Sequence, residues 1–477
     1  MWELNTILIL FFGSLAMAAM GTYLILHFQS KLVIGMDAPD TFRKQHERPI
    51  SRLGGLPIFV TLSVGFVALA IRSPEFTVSW TPVIITNAIV FSVGFLDDLK
   101  PLGARVKLIG QVGAALILYS LGVSIDMLSN PFGEGSLHLG WWGLPITLLW
   151  LIAIPNIVNL IDGMDGLAAG FGMFLCGTLA FVGHFSLRPD VVLVATVMAG
   201  ALAGFLIFNF PPAKIFLGDG GAYLIGFFVA SVSLNSSNKG SIIAALLVII
   251  IALGVPILDT AFAIIRRAIR GVPIFRADAE HVHHKLIVLG YSKGQALVAL
   301  YVVSLILSIA GISVLITKGL ALPVAGAVCF LVTVGAARYL GYIRSWGNLR
   351  TQFNEALRQR RIRQYVTHHG ELLEMEVDLC DSADAFVKLL LHTTQRLGLS
   401  LDAKPGWVVA QILLLDGAKC RIYRKGGIDD HGEWQLRVES LTNALDAART
   451  KWQDIPGLEI VPISPSTSQP LPLDGKS

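Results

Sequence analysis

Charge is what this sequence has little of. Asp, Glu, Lys and Arg together make up 15% of its 477 residues, where a soluble domain carries about 25%. A chain so poor in charge cannot clothe a water-facing surface of that size, which argues against an ordinary soluble protein. Cysteine is also scarce: Cys176, Cys329, Cys380 and Cys420 lie far apart, without metal-type spacing. They argue against a disulfide framework and a thiolate zinc site, and read as small apolar residues. The amino terminus lacks the positive side chains of a signal peptide. Met-Trp-Glu leads directly into the apolar run 5–26, so this run is expected to stay as a first span even though Ala16-Met17-Ala18 mimics a cleavage site.

What the chain does have is apolar length. Hydrophobic residues reach 54%, with a mean hydropathy of +0.66. Eleven runs are long enough to cross a bilayer, near 5–27, 54–71, 80–97, 107–124, 143–161, 164–184, 190–210, 221–236, 241–263, 297–317 and 320–341. The expectation is an all-α polytopic membrane protein. The loops 31–52, 98–107, 211–220 and 264–296 carry 15 Lys and Arg, and the alternate loops carry four. The basic side is cytoplasmic by the positive-inside rule, which puts the amino terminus outside and the carboxy terminus inside.

Composition changes after residue 343. The transmembrane domain is expected over 1–343 and a basic juxtamembrane helix touching anionic lipid heads over 344–366. A cytoplasmic α/β module follows over 367–460, then a Pro/Ser-rich disordered tail over 461–477. In the module, 407–416, 418–426 and 433–441 read as strands, and 383–398 and 441–452 as helices. The module has no catalytic signature. It suits a protein partner or regulation, and no nucleic acid is expected.

The polar residues gather on the basic side. The run FSVGFLDDLKPLG ends in Asp97 and Asp98, with Lys100, Arg105 and Lys107 close behind. Carboxylates in a span are costly and usually functional. In IPNIVNLIDGMDGLAAG, Asn156, Asn159, Asp162 and Asp165 recur every three residues, near one helical face. FNFPPAKIFLGDGGAYLIG places Asp219 among glycines just before an apolar run. His281, His283 and His284 sit in a basic loop. Their spacing and cationic neighbours suit phosphate oxygens better than zinc. Several carboxylates with amide oxygens form a hard donor set for Mg²⁺, with Mn²⁺ as a substitute. Mg²⁺ with surrounding cations is the equipment of phosphoryl transfer, and the membrane setting implies one lipid substrate and one soluble phosphate ester. A transporter would place its acids near mid-span, often in repeated halves, and no repeat is visible.

Taken in order, FLDDLKPLGARVKLIGQ, NIVNLIDGMDGLAAG, NFPPAKIFLGDGGAYLIG and ADAEHVHHKL resemble the polyprenyl-phosphate N-acetylhexosamine-1-phosphate transferases over about residues 5–341, as does the early DAPDTFRKQHERPISRLGGLPIF. The resemblance implies a bacterial inner-membrane enzyme. It would transfer a sugar-1-phosphate from a UDP-sugar such as UDP-N-acetylglucosamine to undecaprenyl phosphate, releasing UMP and initiating an O-antigen, common-antigen or teichoic-acid type polymer. The related phospho-MurNAc-pentapeptide translocase activity is the alternative, and a non-catalytic scaffold of the same fold is another. By the resemblance, Asp97 and Asp98 are the catalytic pair, and Asp219 and Asn159 hold the metal. Lys107, His281, His283 and His284 bind phosphate, with Lys44 and Arg52 as weaker candidates. Asp165, Asn209 and Phe216 line the nucleotide site, joined by Asp162 and Asn156. The reading also admits a homodimer. Two positions depart from the family pattern: Ala279 stands where an Arg is common, and Ala222 where a Ser is common.

Overall fold

The computed structural model describes residues 4–28, 36–37, 50–129, 135–235, 242–270, 282–317, 319–339, 349–397, 399–400, 407–413, 418–425, parts of 437–452, and 460–462. The chain divides into two compact units, Met1–Ile265 with Phe275–Arg344, and Arg266–Ile274 with Ser345–Ser477.

The first unit is built of helices. In chain order they are α1 (Leu4–Phe28), α2 (Gly55–Arg72), α3 (Pro74–Leu99), α4 (Ala104–Ser120), α5 (Gly143–Ile161), α6 (Leu167–Phe185), α7 (Pro189–Asn209), α8 (Gly218–Asn235), α9 (Ile242–Ala252), α10 (Gly254–Arg270), α11 (Val282–Val288), α12 (Lys293–Ile316) and α13 (Leu322–Tyr339). The last residues of α10, 266–270, fall in the second unit. Two short antiparallel pairs, β1 (Met36–Asp37) with β2 (Ile50–Ser51) and β3 (Met127–Ser129) with β4 (Ser136–His138), lie in the connections. Local sequence starts several helices. Ser73 Oγ accepts from Phe76 N at 3.4 Å ahead of Pro74, and Ser292 and Gln295 close a reciprocal capping box on α12.

Eight of the described helices are long and apolar enough to cross a bilayer, or nine when the pair bent by 68° at Leu253 counts as one span. The expected eleven also included α4 and α8. α4 has only 17 residues. α8 is the more instructive case. Its residues are buried from Gly218 to Leu234 apart from Asp219, and it packs against α2, α3, α5 and α6. A helix shielded by protein need not be apolar enough for lipid, so it can begin with a polar, glycine-rich turn.

Glycines make room for that turn. A Cβ on Gly94 of α3 would lie 2.7 Å from the backbone of Asp219, so α3 and the start of α8 are in backbone contact. Gly218 has φ +76°, a left-handed conformation that turns the chain into α8. The segment before α2 locks onto the same place. Phe216 N donates to Ser51 O at 2.8 Å, and Gly54 N and Gly55 N donate to Phe216 O and Leu217 O at 3.0 and 2.8 Å.

In the second unit, α14 (Leu349–Leu379) and α15 (Ala383–Arg396) accompany β5 (Leu399–Ser400), β6 (Trp407–Leu413), β7 (Ala418–Lys425) and β8 (Ile460–Pro462). The strand β7 pairs antiparallel with the other three. Phe386, Leu390, Leu441 and Leu445 belong to a core of this unit's own. α14 runs unbroken through residue 366, because a change from basic to acidic side chains does not interrupt backbone hydrogen bonding. Segment 433–441, expected as a strand, is helical at its two described residues, Arg437 and Leu441. Short apolar runs do not distinguish the two states, and tertiary contact decides.

Candidate active site

Two helices end and two begin at one place. α3 ends with Asp97 and Asp98, α5 ends just after Asn159, α4 carries Lys107 in its first turn, and α8 opens with Asp219. Hydrogen bonds join these residues into one network. Lys107 Nζ donates to Asp97 Oδ2 at 3.0 Å and to Asp219 Oδ2 at 2.7 Å, bridging two carboxylates. Asn159 Nδ2 donates to Asp219 Oδ1 at 3.0 Å. The ammonium also lies 5.9 Å from the centroid of the Tyr223 ring, one turn into α8.

The adjacent aspartates behave differently. Asp98 is 6% exposed. Its Oδ1 accepts from Asp219 N and its Oδ2 from Gly220 N, both at 2.8 Å, so both oxygens are committed to the first turn of α8. An anion at a helix amino terminus is favoured by the unpaired amides and by the helix dipole. Asp97 uses Oδ1 to accept from Leu102 N at 2.8 Å, and Oδ2 faces Lys107. Sequence reasoning treated the two as a pair; the hydrogen bonds divide them.

Asp162 and Arg52 stand beside the network. Arg52 is within electrostatic reach of both Asp98 and Asp162. Asp162 follows the end of α5 and keeps part of its surface open. Burial, and then the Asp219 and Asp98 carboxylates, hold its carboxyl well above the usual carboxylate range, against a smaller pull from Arg52. The folded protein therefore binds that proton more tightly than the unfolded chain does. This contribution to stability is full below the ordinary carboxylate value and is lost as pH rises through the raised one. Asp162→Asn is expected to flatten that decline and to raise the melting temperature of metal-free protein at neutral pH, by roughly 2–4 °C for each kcal/mol relieved. Thermal melts of both proteins across pH 4–9 check it, and parallel pH profiles would refute it.

Other predicted residues lie in a second, adjoining set of contacts. Asp165 Oδ2 accepts from Ala213 N at 3.1 Å. Asn209 is 4% exposed; it accepts from Gly166 N at 3.0 Å and donates to Ile215 O at 2.8 Å. Together they tie the turn after α5 to the loop that carries Phe216. Tyr301 of α12 supports the same turn, donating to Gly166 O at 2.6 Å. Asn156 lies one helical turn before Asn159 and donates to Gln111 Oε1 at 2.6 Å, joining α5 to α4. His284 is partly buried in α11. Lys44, His281, Ala279 and the His283 side chain lie outside the described residues.

Sequence reasoning passed over Gln111, Tyr223, Tyr301 and Asp259. Gln111 and Asp259 had a signal, since each is a polar residue inside an apolar run. Tyr223 and Tyr301 had none. A cavity of about 930 Å³, lined by residues that include Glu75, Asp190 and Asn235, lies at the opposite ends of α3, α7 and α8, a helix length away from the carboxylates. At the carboxylate end, ionisable groups from α3, α4 and α8 and an amide from α5 converge.

The sequence profile of glycosyl transferase family 4 matches residues 80–237, from within α3 to just past α8. The probable undecaprenyl-phosphate N-acetylglucosaminyl 1-phosphate transferase of Bacillus subtilis is 37% identical over 277 residues, covering 58% of this chain and 76% of the relative. The chain belongs to glycosyl transferase family 4. The decaprenyl-phosphate N-acetylglucosaminephosphotransferase of Mycobacterium tuberculosis is 34% identical, over 54% of this chain and 70% of its own length. The phospho-N-acetylmuramoyl-pentapeptide-transferase of Shouchella clausii is 31% identical, over 65% of this chain and 97% of its own. The matched segment of this family 4 protein contains Asp97, Asp98, Lys107, Asn159 and Asp219, the whole connected network.

Proposed function

We propose that this protein transfers an N-acetylhexosamine-1-phosphate, of the N-acetylglucosamine type, from a UDP-sugar to undecaprenyl phosphate, releasing UMP. The reaction would begin a cell-envelope polysaccharide. One observation carries the reading: carboxylates, a lysine and an amide from four helices converge where those helices end or begin. That is the depth at which a lipid phosphate and a soluble nucleotide meet. The names of the relatives support a polyprenyl-phosphate acceptor and a sugar-1-phosphate donor. The higher identity to N-acetylglucosamine-type relatives favours that donor over a pentapeptide-bearing one. The basic loops favour a cytoplasmic site in a bacterial inner membrane.

The residues suit Mg²⁺. Among the described residues, no three His, Cys, Asp or Glu form a metal-binding group of their own. Mg²⁺ usually keeps only one or two carboxylates and completes its shell with water and substrate phosphates. Asp219 and the side-chain oxygen of Asn159 would hold it, and Asp219 already accommodates a cation, the Lys107 ammonium. Bound there, the metal would neutralise charge on the diphosphate. Lys107, poised between two carboxylates, would turn toward phosphate oxygens when substrate enters. Asp97 is the carboxylate left to act on the acceptor phosphate, since both oxygens of Asp98 are held by backbone amides. Asp165, Asn209 and Phe216 would shape the uridine site.

The test is UMP release by purified full-length protein with undecaprenyl phosphate, Mg²⁺ and a panel of UDP-N-acetyl sugars. Lipid-dependent release that EDTA abolishes and excess Mg²⁺ restores is the expected result. No release with any donor, from protein that melts cooperatively, would overturn the proposal.

A further inference from the structure

Asp259 is an acid inside an apolar run, on α10, just beyond the 68° bend. It is 7% exposed. Its neighbours around a small cavity are almost all apolar, among them Leu258, Phe262, Leu307 and Val332. A carboxylate is expensive in such surroundings unless something pairs with it. Among its partners is the backbone of Val282, whose N donates to Asp259 Oδ1 at 3.2 Å.

Val282 is the first residue of α11, and His283 and His284 come next. α11 has seven residues. A helix that short does not hold itself together in isolation, so tertiary anchors must fix it. Among the described residues, Leu286, 7% exposed, packs into the main core, and Asp259 takes up an amide at the opposite end. The acid also opposes the positive end of the helix dipole. We propose that Asp259 is a positioning residue, fixing the turn that presents His284 to phosphate. The inference about the histidine rests on the proposed transferase reading; the anchoring of α11 does not.

Three variants of the full-length protein test it: Asp259→Asn, which keeps an acceptor oxygen, Asp259→Ala, which removes it, and His284→Ala. Hydrogen exchange, followed by mass spectrometry, reads the anchor without any activity. In Asp259→Ala, amides of 282–288 are expected to exchange about tenfold faster or more, as the loss of a charged acceptor implies. Peptides from α5 and α8 should keep their protection, and Asp259→Asn should restore most of that in α11. UMP release should fall by a comparable factor in Asp259→Ala and recover in Asp259→Asn. Combining Asp259→Ala with His284→Ala should then cost little beyond His284→Ala alone. Unchanged protection of 282–288 in folded Asp259→Ala overturns the proposal, as does a double variant whose losses multiply. If wild-type protein transfers nothing, the reaction reading fails while the exchange data still decide the anchor. If Asp259→Ala does not fold, Asp259→Asn carries the test, and a loss of α11 protection there equal to global unfolding overturns it.

Discussion

Replacing Asp219 with alanine is expected to lower lipid-dependent UMP release by about a thousandfold or more, because under the proposed function it would remove both a metal ligand and a charge aimed at the reacting phosphates. Asp219 is where the network closes: Lys107 reaches its Oδ2 and Asn159 its Oδ1. Without it, Asp97 is the one carboxylate left to the lysine, and the asparagine amide loses its acceptor. The fold should survive. α8 is held to α3 through the backbone N–H of Asp219, not its side chain, and alanine keeps that N–H. Thermal melting within a few degrees of wild type, together with lost activity, is the expected pair of results. Asp219→Asn keeps the size and removes the charge, and should lose nearly as much. Retention of a tenth or more of wild-type turnover in either variant would remove Asp219 from the chemistry.

Replacing Asp98 with alanine should give a different signature, with stability and activity falling together. Two amides, those of Asp219 and Gly220, lose their acceptors at a buried helix start. An unsatisfied buried donor costs about 1–3 kcal/mol, so a destabilisation on the order of 2–6 kcal/mol is expected. Asp98→Asn offers one acceptor oxygen in place of two and should fall between. Denaturation and UMP release measured on the same preparations separate the possibilities. Lost turnover with an unchanged melting temperature would make Asp98 a reacting group and not the clamp on α8.

Much of this site was legible before the structure. A carboxylate or asparagine in an apolar run stands out because lipid offers it no partner, so Asp97, Asp98, Asn159 and Asp219 could be picked out from the string. The same rule would have marked Gln111 and Asp259, which were passed over. Asn156 shows the opposite limit. Its three-residue spacing from Asn159 put it on the same helix face, yet it pairs with Gln111 while Asn159 pairs with Asp219. One turn of helix separates two neighbours on a face, and each meets a different part of the facing helices.

The sequence by itself determined that the chain is a helical membrane protein, where most of its spans lie, which residues are too polar for their setting, and which family it resembles. These follow from local composition and order, because transfer into lipid is decided run by run. Tertiary structure alone decided which partner each polar residue meets. Asp98 meets Asp219 across 121 positions, Lys107 meets it across 112, and Asp259 meets Val282 across 23. Adjacent residues such as Asp97 and Asp98 leave a helix in different directions. Their roles diverge because the partners that await them come from distant parts of the chain.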